Sequence, residues 1–196
     1  MKSIRVYIFL TLIACFTMMA FFPAGNINKD ILKSDMVIGK KLPKSDSINN
    51  PYSIVVIKST YELKVYDDQG WYATYPVVFG SRDLSDKMRE GDKRTPDGNF
   101  KVILKKINSN WGPELLLDYP NEATYEKFND RKAKGLLPKD AKIGGGIAIH
   151  ATRPSEEWTV DNYYNWTDGC ISVKYTEMQD LYSYIPVGTP VTIVEQ

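Results

Sequence analysis

Histidine and cysteine are nearly absent from this chain: its 196 residues include one His and two Cys. Cys15 falls in an N-terminal apolar run, outside the expected folded body. The folded body therefore has one imidazole, His150, and one thiol, Cys170. That set argues against a zinc site, which draws roughly three or four N/S ligands, and no metal or other cofactor is expected. With Cys15 removed or capped, Cys170 has no intrachain partner, so no structural disulfide competes for it. Excess charge is also lacking. The formal net charge is +1, and nothing argues for a nucleic-acid partner. The sequence has no internal repeat or low-complexity block. A hydrophobic share of 43% over this length suits one domain with a real core.

Both reactive groups lie in a single Gly-rich stretch, Gly144 to Val173. A cysteine nucleophile needs a base, and a histidine brought beside it by the fold supplies one. Ile147-Ala148-Ile149-His150 reads as a short strand ending in the His, and Thr167-Asp168-Gly169-Cys170 as a tight turn presenting the thiol. Gly169 lets the backbone turn sharply and aims the N–H groups of Gly169 and Cys170 outward as an oxyanion hole. An ion-paired thiolate would be alkylated well below neutral pH, whereas a neutral pair deprotonated only during attack would show a smaller shift. The competing reading is a cysteine packed as a small hydrophobe and a histidine satisfied in the core. Gly144-Gly145-Gly146 lacks the Lys-Ser/Thr of a phosphate loop. Asn165-Trp166-Thr167 fits a glycosylation sequon, which we ascribe to chance.

The strand ending in Ile149-His150, followed by a loop and Thr167-Asp168-Gly169-Cys170-Ile171, resembles the L,D-transpeptidase (YkuD) catalytic domain family. Gly91-Asp92-Lys93-Arg94-Thr95-Pro96-Asp97-Gly98-Asn99-Phe100 is similar to that family's GD-x-x-TP-x-G-x-F signature. Leu117 to Asn121 and Asn165 to Val173 resemble a branch with YPN and WT-x-GCI-x-V motifs. The resemblance covers about residues 52–195. It implies a β-sandwich core and acyl transfer on peptidoglycan stem peptides, with Cys170 as nucleophile and His150 as base. It further implies that a backbone carbonyl near Ala151 orients the imidazole; Asp161 and Asp168 are weaker substitutes for that role. Many members carry Arg two residues after the nucleophile, where this chain has Ser172, so Arg153 is considered as a replacement charge. Trp166, Thr167 and Tyr164 are candidate substrate contacts, and Tyr163 is weighed with them against a purely structural role. The alternatives are a hydrolase of the same fold that cleaves stem peptides or wall-protein linkages, and a non-catalytic wall-binding module.

In chain order, Met1 to Arg5 is basic and Val6 to Phe22 apolar, the form of an export signal. An uncleaved anchor stays open, since this run is at the short limit for a span. Leu12-Ile13-Ala14-Cys15 also resembles a lipobox, ranked second because apolar residues continue past the Cys. Residues 1–24 are thus a signal peptide or membrane anchor, 25–51 a polar tether, and 52–196 the catalytic domain. Ile54 to Ile57 reads as a buried strand, and Tyr61 to Tyr66 alternates as a half-exposed one. Asp67 to Gly70 forms a turn, and Trp71 to Phe79 returns as the third strand of an antiparallel meander. Ser81 to Arg94 is a loop beside the cleft, Thr95 to Gly98 a turn, and Phe100 to Leu104 restarts the sheet. Asn121 caps a helix from Glu122 to Lys134 that stops at Gly135. Thr176-Glu177-Met178-Gln179 reads as the capping box of a second helix with Met178, Leu181, Tyr182 and Ile185 on one face. Pro186 ends it, and Val191 to Val194 closes the sheet. The domain is therefore expected to be mainly β, a sandwich with about two helices and a cleft-lining loop.

The basic and apolar N-terminal segments predict a bacterial cell-envelope protein, periplasmic or anchored facing the wall, that meets the membrane only through this segment. Protease added to spheroplasts should digest residues beyond about Gly25 while the membrane is intact. Full protection under those conditions would rule the placement out.

Overall fold

The computed structural model describes residues 50–196. The export segment, Cys15 and nearly all of the tether lie outside the described residues. Period-two alternation builds the first sheet. In β1 (Ser53–Ile57) Ile54 and Val56 point into the core, and in β2 (Glu62–Asp67) Leu63 and Val65 do. Val55 and Ile57 are only half-buried, so β1 is one-sided rather than the fully buried strand expected from its apolar run. The Asp67 carboxylate accepts from Gln69 N and Gly70 N, at 2.8 and 3.1 Å, and turns the chain into β3 (Gly70–Val78).

Strands β4 (Gly98–Asn108), β5 (Gly112–Leu117), β6 (Ala148–Ala151), β7 (Ile171–Val173) and β8 (Pro190–Val194) complete the sheet. The order around it is β1-β2-β3-β7-β6-β5-β4-β8, closed on itself. Two facing layers share β3 and β4, so the expected sandwich has both of its edges sealed into a barrel. Among the described residues closure gives every strand a paired neighbour on both sides. Leu63, Val77, Leu115, Ile149, Ile171 and Ile193 are among the side chains that fill a single core.

The β4–β5 hairpin was not legible as such. A register shift between Val102 and Leu104 breaks the alternation, and Ile103, Leu104 and Ile107 face solvent beyond it. Among the described residues there are three α-helices rather than two: α1 (Glu122–Ala133), the short α2 (Trp158–Asp161) after a 3₁₀ turn at Pro154–Glu156, and α3 (Tyr175–Tyr184). None is long and apolar enough to cross a membrane. Asn121 and Thr124 cap α1 reciprocally. The capping box expected at Thr176 does not form, because the N-cap is Lys174. Instead Glu157 Oε1 accepts from Thr176 N at 2.8 Å and from its hydroxyl at 2.9 Å, a negative charge at the helix N-terminus. At the other end Lys105 Nζ donates to the carbonyls of Tyr182 and Ile185. Met178, Leu181 and Ile185 anchor α3 in the core, as their spacing predicts.

Lys58, just past β1, is 1% exposed, and its ammonium lies 2.7 Å from Asp97 Oδ1 and donates to Thr95 O at 3.2 Å. It thereby joins the first strand to the Thr-Pro turn. Replacing Lys58 with Met should lower stability by about 3 kcal/mol, since it strands a partly buried carboxylate. Thermal or urea unfolding measures this, and a change below about 1 kcal/mol would show that the pair holds little.

Candidate active site

Strands β6 and β7 pair in parallel, Ile149 opposite Ile171 and His150 opposite Ser172. Side chains of paired residues share a face, so Ile149 and Ile171 enter the core while His150 and Ser172 point away from it. Cys170, two residues before Ser172, falls on the His150 side. On the other flank of β6, Glu114 of β5 is the register partner of His150. One outward face therefore gathers a carboxylate and an imidazole from two adjacent strands and a thiol from the turn entering β7.

The turn that presents Cys170 is set backbone against backbone. Gly169 has φ 126°, and a Cβ there would lie 2.7 Å from Arg94 O. At Gly80 a Cβ would meet Thr167 O at 2.3 Å, Lys93 O at 2.5 Å and Gly169 N at 2.8 Å. Hydrogen bonds hold this stack. Phe79 O accepts from Trp166 N and Thr167 N, the Thr95 hydroxyl donates to Gly169 O at 3.0 Å, and that of Thr167 donates to Cys170 O at 2.8 Å. Asn165 bridges the same segments, accepting from Phe79 N and donating to Ser81 O. Asp92 organises the loop before it by accepting from Met88, Arg89 and Arg94 N–H groups and from Lys87 Nζ.

His150 is 3% exposed and sits between two indoles, with ring centroids 4.9 Å from Trp111 and 5.4 Å from Trp166. Its Nδ1 lies 2.8 Å from Ala151 O. A carbonyl only accepts, so Nδ1 carries the proton and Nε2 is the basic nitrogen. Desolvation pushes the imidazole below its usual range, opposed by the Ala151 carbonyl and by Glu114. Cys170 is a free thiol, half-buried, donating to Gly146 O at 3.5 Å. Burial pushes that thiol up to about 11, with smaller contributions from Glu114 and Asp168 in the same direction. Among the described residues no hydrogen bond joins Sγ to the imidazole. Burial thus favours the neutral pair over the ion pair. A cleft of about 210 Å³ takes in both, walled by Trp111, Glu114, Trp166 and Thr167. Among the described residues no cluster of three or more His, Cys, Asp or Glu is placed to hold a metal.

Of the residues singled out from sequence, His150, Cys170, Trp166, Thr167 and Asp168 line this cleft, and Ala151 contributes its carbonyl. Others depart from expectation. The N–H of Gly169 is engaged by Thr167 Oγ1 at 3.2 Å, so this glycine serves the turn more than an oxyanion hole. Arg153 pairs with Glu156 at 2.9 Å and does not line the cleft, because the 3₁₀ turn directs it along the crossover. Tyr164 is exposed against Trp158, and Tyr163 packs on Tyr61; both rings cover the crossover rather than the cleft. Asp161 pairs with Lys174, while Asp168 is exposed and near Lys93, so neither reaches the imidazole. Ser172 is fully buried, leaving no exposed side chain where many family members carry Arg. Sequence reasoning missed Trp111 and Glu114. Both belong to the unread hairpin, and only strand register brings them to His150.

A family model, the L,D-transpeptidase catalytic domain (YkuD), matches residues 51–193, and the chain belongs to that family. Over 150 residues it is 31% identical to YqjB of Bacillus subtilis (strain 168), whose L,D-transpeptidase designation is provisional; the match covers 74% of this chain and 72% of that one. Its fold is similar to Bd1075 of Bdellovibrio bacteriovorus, at 25% identity and TM-score 0.53, covering 75% of this chain and 49% of the other. It is also similar to a variant of the helical cell shape determining protein Pgp2 from Campylobacter jejuni, at 25% identity and TM-score 0.58, covering 86% and 55%. The chain thus spans about half the length of these two solved structures.

The raised thiol predicts a particular labelling profile. Iodoacetamide modification of Cys170, followed on its own peptide by mass spectrometry, should be slow at neutral pH and rise toward pH about 11. Urea unfolding should speed labelling near pH 8–9, where an ordinary thiol of pKa about 8.5 begins to ionise. Rapid labelling of the folded protein well below neutral pH would instead establish a resting ion pair.

Proposed function

We propose that the protein is an exported L,D-transpeptidase that joins peptidoglycan stem peptides, or anchors a protein to them, through a thioester on Cys170. The observation that carries this reading is the shared outward face of His150 and Cys170, with the imidazole fixed by the Ala151 carbonyl. In the first step the thiol turns from Gly146 O toward His150 Nε2 and gives up its proton as sulfur attacks the carbonyl carbon of an L,D-peptide bond. The C–N bond breaks, and His150 returns the proton to the leaving amine. An acceptor amine then attacks the thioester, His150 takes its proton, and the thiol is regenerated. A resting neutral pair suits this sequence, since the proton moves only when the nucleophile engages. The oxyanion falls to the Cys170 N–H, joined by that of Gly169 when its bond to Thr167 opens. One such donor is worth about 10²–10³ in rate.

With Ser172 buried and Arg153 paired to Glu156, the positive charge many relatives carry after the nucleophile is missing on this side of the cleft. Donor recognition therefore rests on Trp166 and Thr167 and on backbone from the Gly-rich strand entrance. Work on the wall places the domain in the cell envelope, in keeping with the N-terminal segment.

Purified muropeptides incubated with the protein and an acceptor amine should give the amine-exchanged or crosslinked product by mass spectrometry. Cys170→Ser and His150→Ala should each lower the yield at least about 10³-fold while leaving the melting temperature within a few degrees. Shortened stems with no exchanged product would show that water is the acceptor and the enzyme a hydrolase. Turnover surviving in Cys170→Ser would end the thioester reading.

A further inference from the structure

Among the described residues no carboxylate hydrogen-bonds the imidazole, whose ring bond goes to the neutral Ala151 carbonyl. Yet the proposed reaction makes it an imidazolium twice. We propose that Glu114 is a positioning residue for this reaction, which rests on the assignment of His150 as its base: its buried charge supports the imidazolium, and its bond to Trp111 fixes the indole against the ring.

The geometry has three parts. Glu114 is 4% exposed, on the same outward face as His150 and directly opposite it in register. Its Oε2 accepts from Trp111 Nε1 and Asn108 Nδ2, each at 3.1 Å, and Trp111 in turn lies on the imidazole with 35° between the ring planes. Its Oε1 meets Lys106 Nζ at 3.1 Å, and that lysine is half-exposed. Network and imidazole are therefore one unit: the hairpin that carries Lys106, Asn108, Trp111 and Glu114 covers the side of His150 away from Cys170.

Other charged groups bear on the pair. From the turn before β7 come Cys170 itself and Asp168, which is exposed and near Lys93. Lys87, from the loop before Asp92, acts on the thiol. Glu114 is the carboxylate that acts on the imidazole, favouring its protonated form, and it also disfavours the thiolate. The first effect makes His150 a stronger base, and the second keeps the proton on sulfur until attack. A more basic His150 is better able to strip an incoming ammonium, which is the demand of the second half-reaction.

His150 is the chain's only histidine, so in untagged protein its ring protons report one titration by NMR. Glu114→Gln, which keeps an acceptor for Trp111, should lower the His150 midpoint by about one pH unit. Glu114→Asp should recover part of the shift, and Lys106→Met should raise the midpoint by removing the competing cation. With muropeptide substrate, Glu114→Gln should lower kcat about tenfold with KM little changed. An unmoved midpoint in folded Glu114→Gln overturns the inference. If that variant does not fold, a midpoint unchanged or lowered in Lys106→Met overturns it instead. The titration needs no substrate, so it is decided separately from the Cys170→Ser product assay.

Discussion

The site depends on a place where no side chain fits. Gly80 ends the third strand's path, and the turn carrying Cys170 lies directly on its backbone, closer than any Cβ permits. From that contact the rest follows. The Phe79 carbonyl receives two N–H groups of the turn, Asn165 ties both segments, and the Thr95 hydroxyl holds the carbonyl just before Cys170. Thr95 is itself braced through its carbonyl by the buried Lys58. A reactive thiol on an exposed loop would sample many rotamers and orientations. Here its Cα is fixed by main-chain packing, the least compliant kind of contact in a protein.

One physical cause, removal from water, acts oppositely on the two reacting groups. It raises the thiol and lowers the imidazole, so both lean toward their uncharged forms. The indoles of Trp111 and Trp166 are the agents of that dryness. Desolvation that disfavours a free thiolate also strengthens any dipole aimed at a developing oxyanion. The cleft therefore holds its reactivity in reserve until a substrate completes it.

Much of this was readable beforehand where chemistry and local pattern coincide. The Asn121 cap has a local signature and falls where expected. The lone His and the lone usable Cys, also marked locally, meet at one cleft, and Gly169 shapes the turn while its N–H is bonded to Thr167. The meander was equally plain, because Ile54, Val56, Leu63 and Val65 alternate cleanly. The reading failed where tertiary context decides. The bulge near Val102 scrambled the alternation of β4, so the hairpin bearing Trp111 and Glu114 went unseen. Thr176 has the right neighbours for a self-made cap, but a carboxylate from the crossover, Glu157, takes the position. Arg153 and Tyr164 are close to the reactive residues in sequence, yet they lie on the outside of the crossover. Register, not sequence distance, determines what reaches the cleft.

The parallel pairing of β6 with β7 also governs the segment between them. Adjacent parallel strands cannot be joined by a tight turn, so the chain must leave the sheet after Ala151 and return before Ile171. Both ends of that excursion are fastened, one by the Thr152 N–H to Val173 O and the other by the stack on Gly80. The residues between them carry exposed Trp158, Tyr163 and Tyr164 on the outside of that excursion, away from the cleft. Such an arch is able to change length and composition without shifting the distance between His150 and Cys170. It is a part whose length the sheet leaves free, while the pairing of β6 with β7 alone sets how far His150 stands from Cys170.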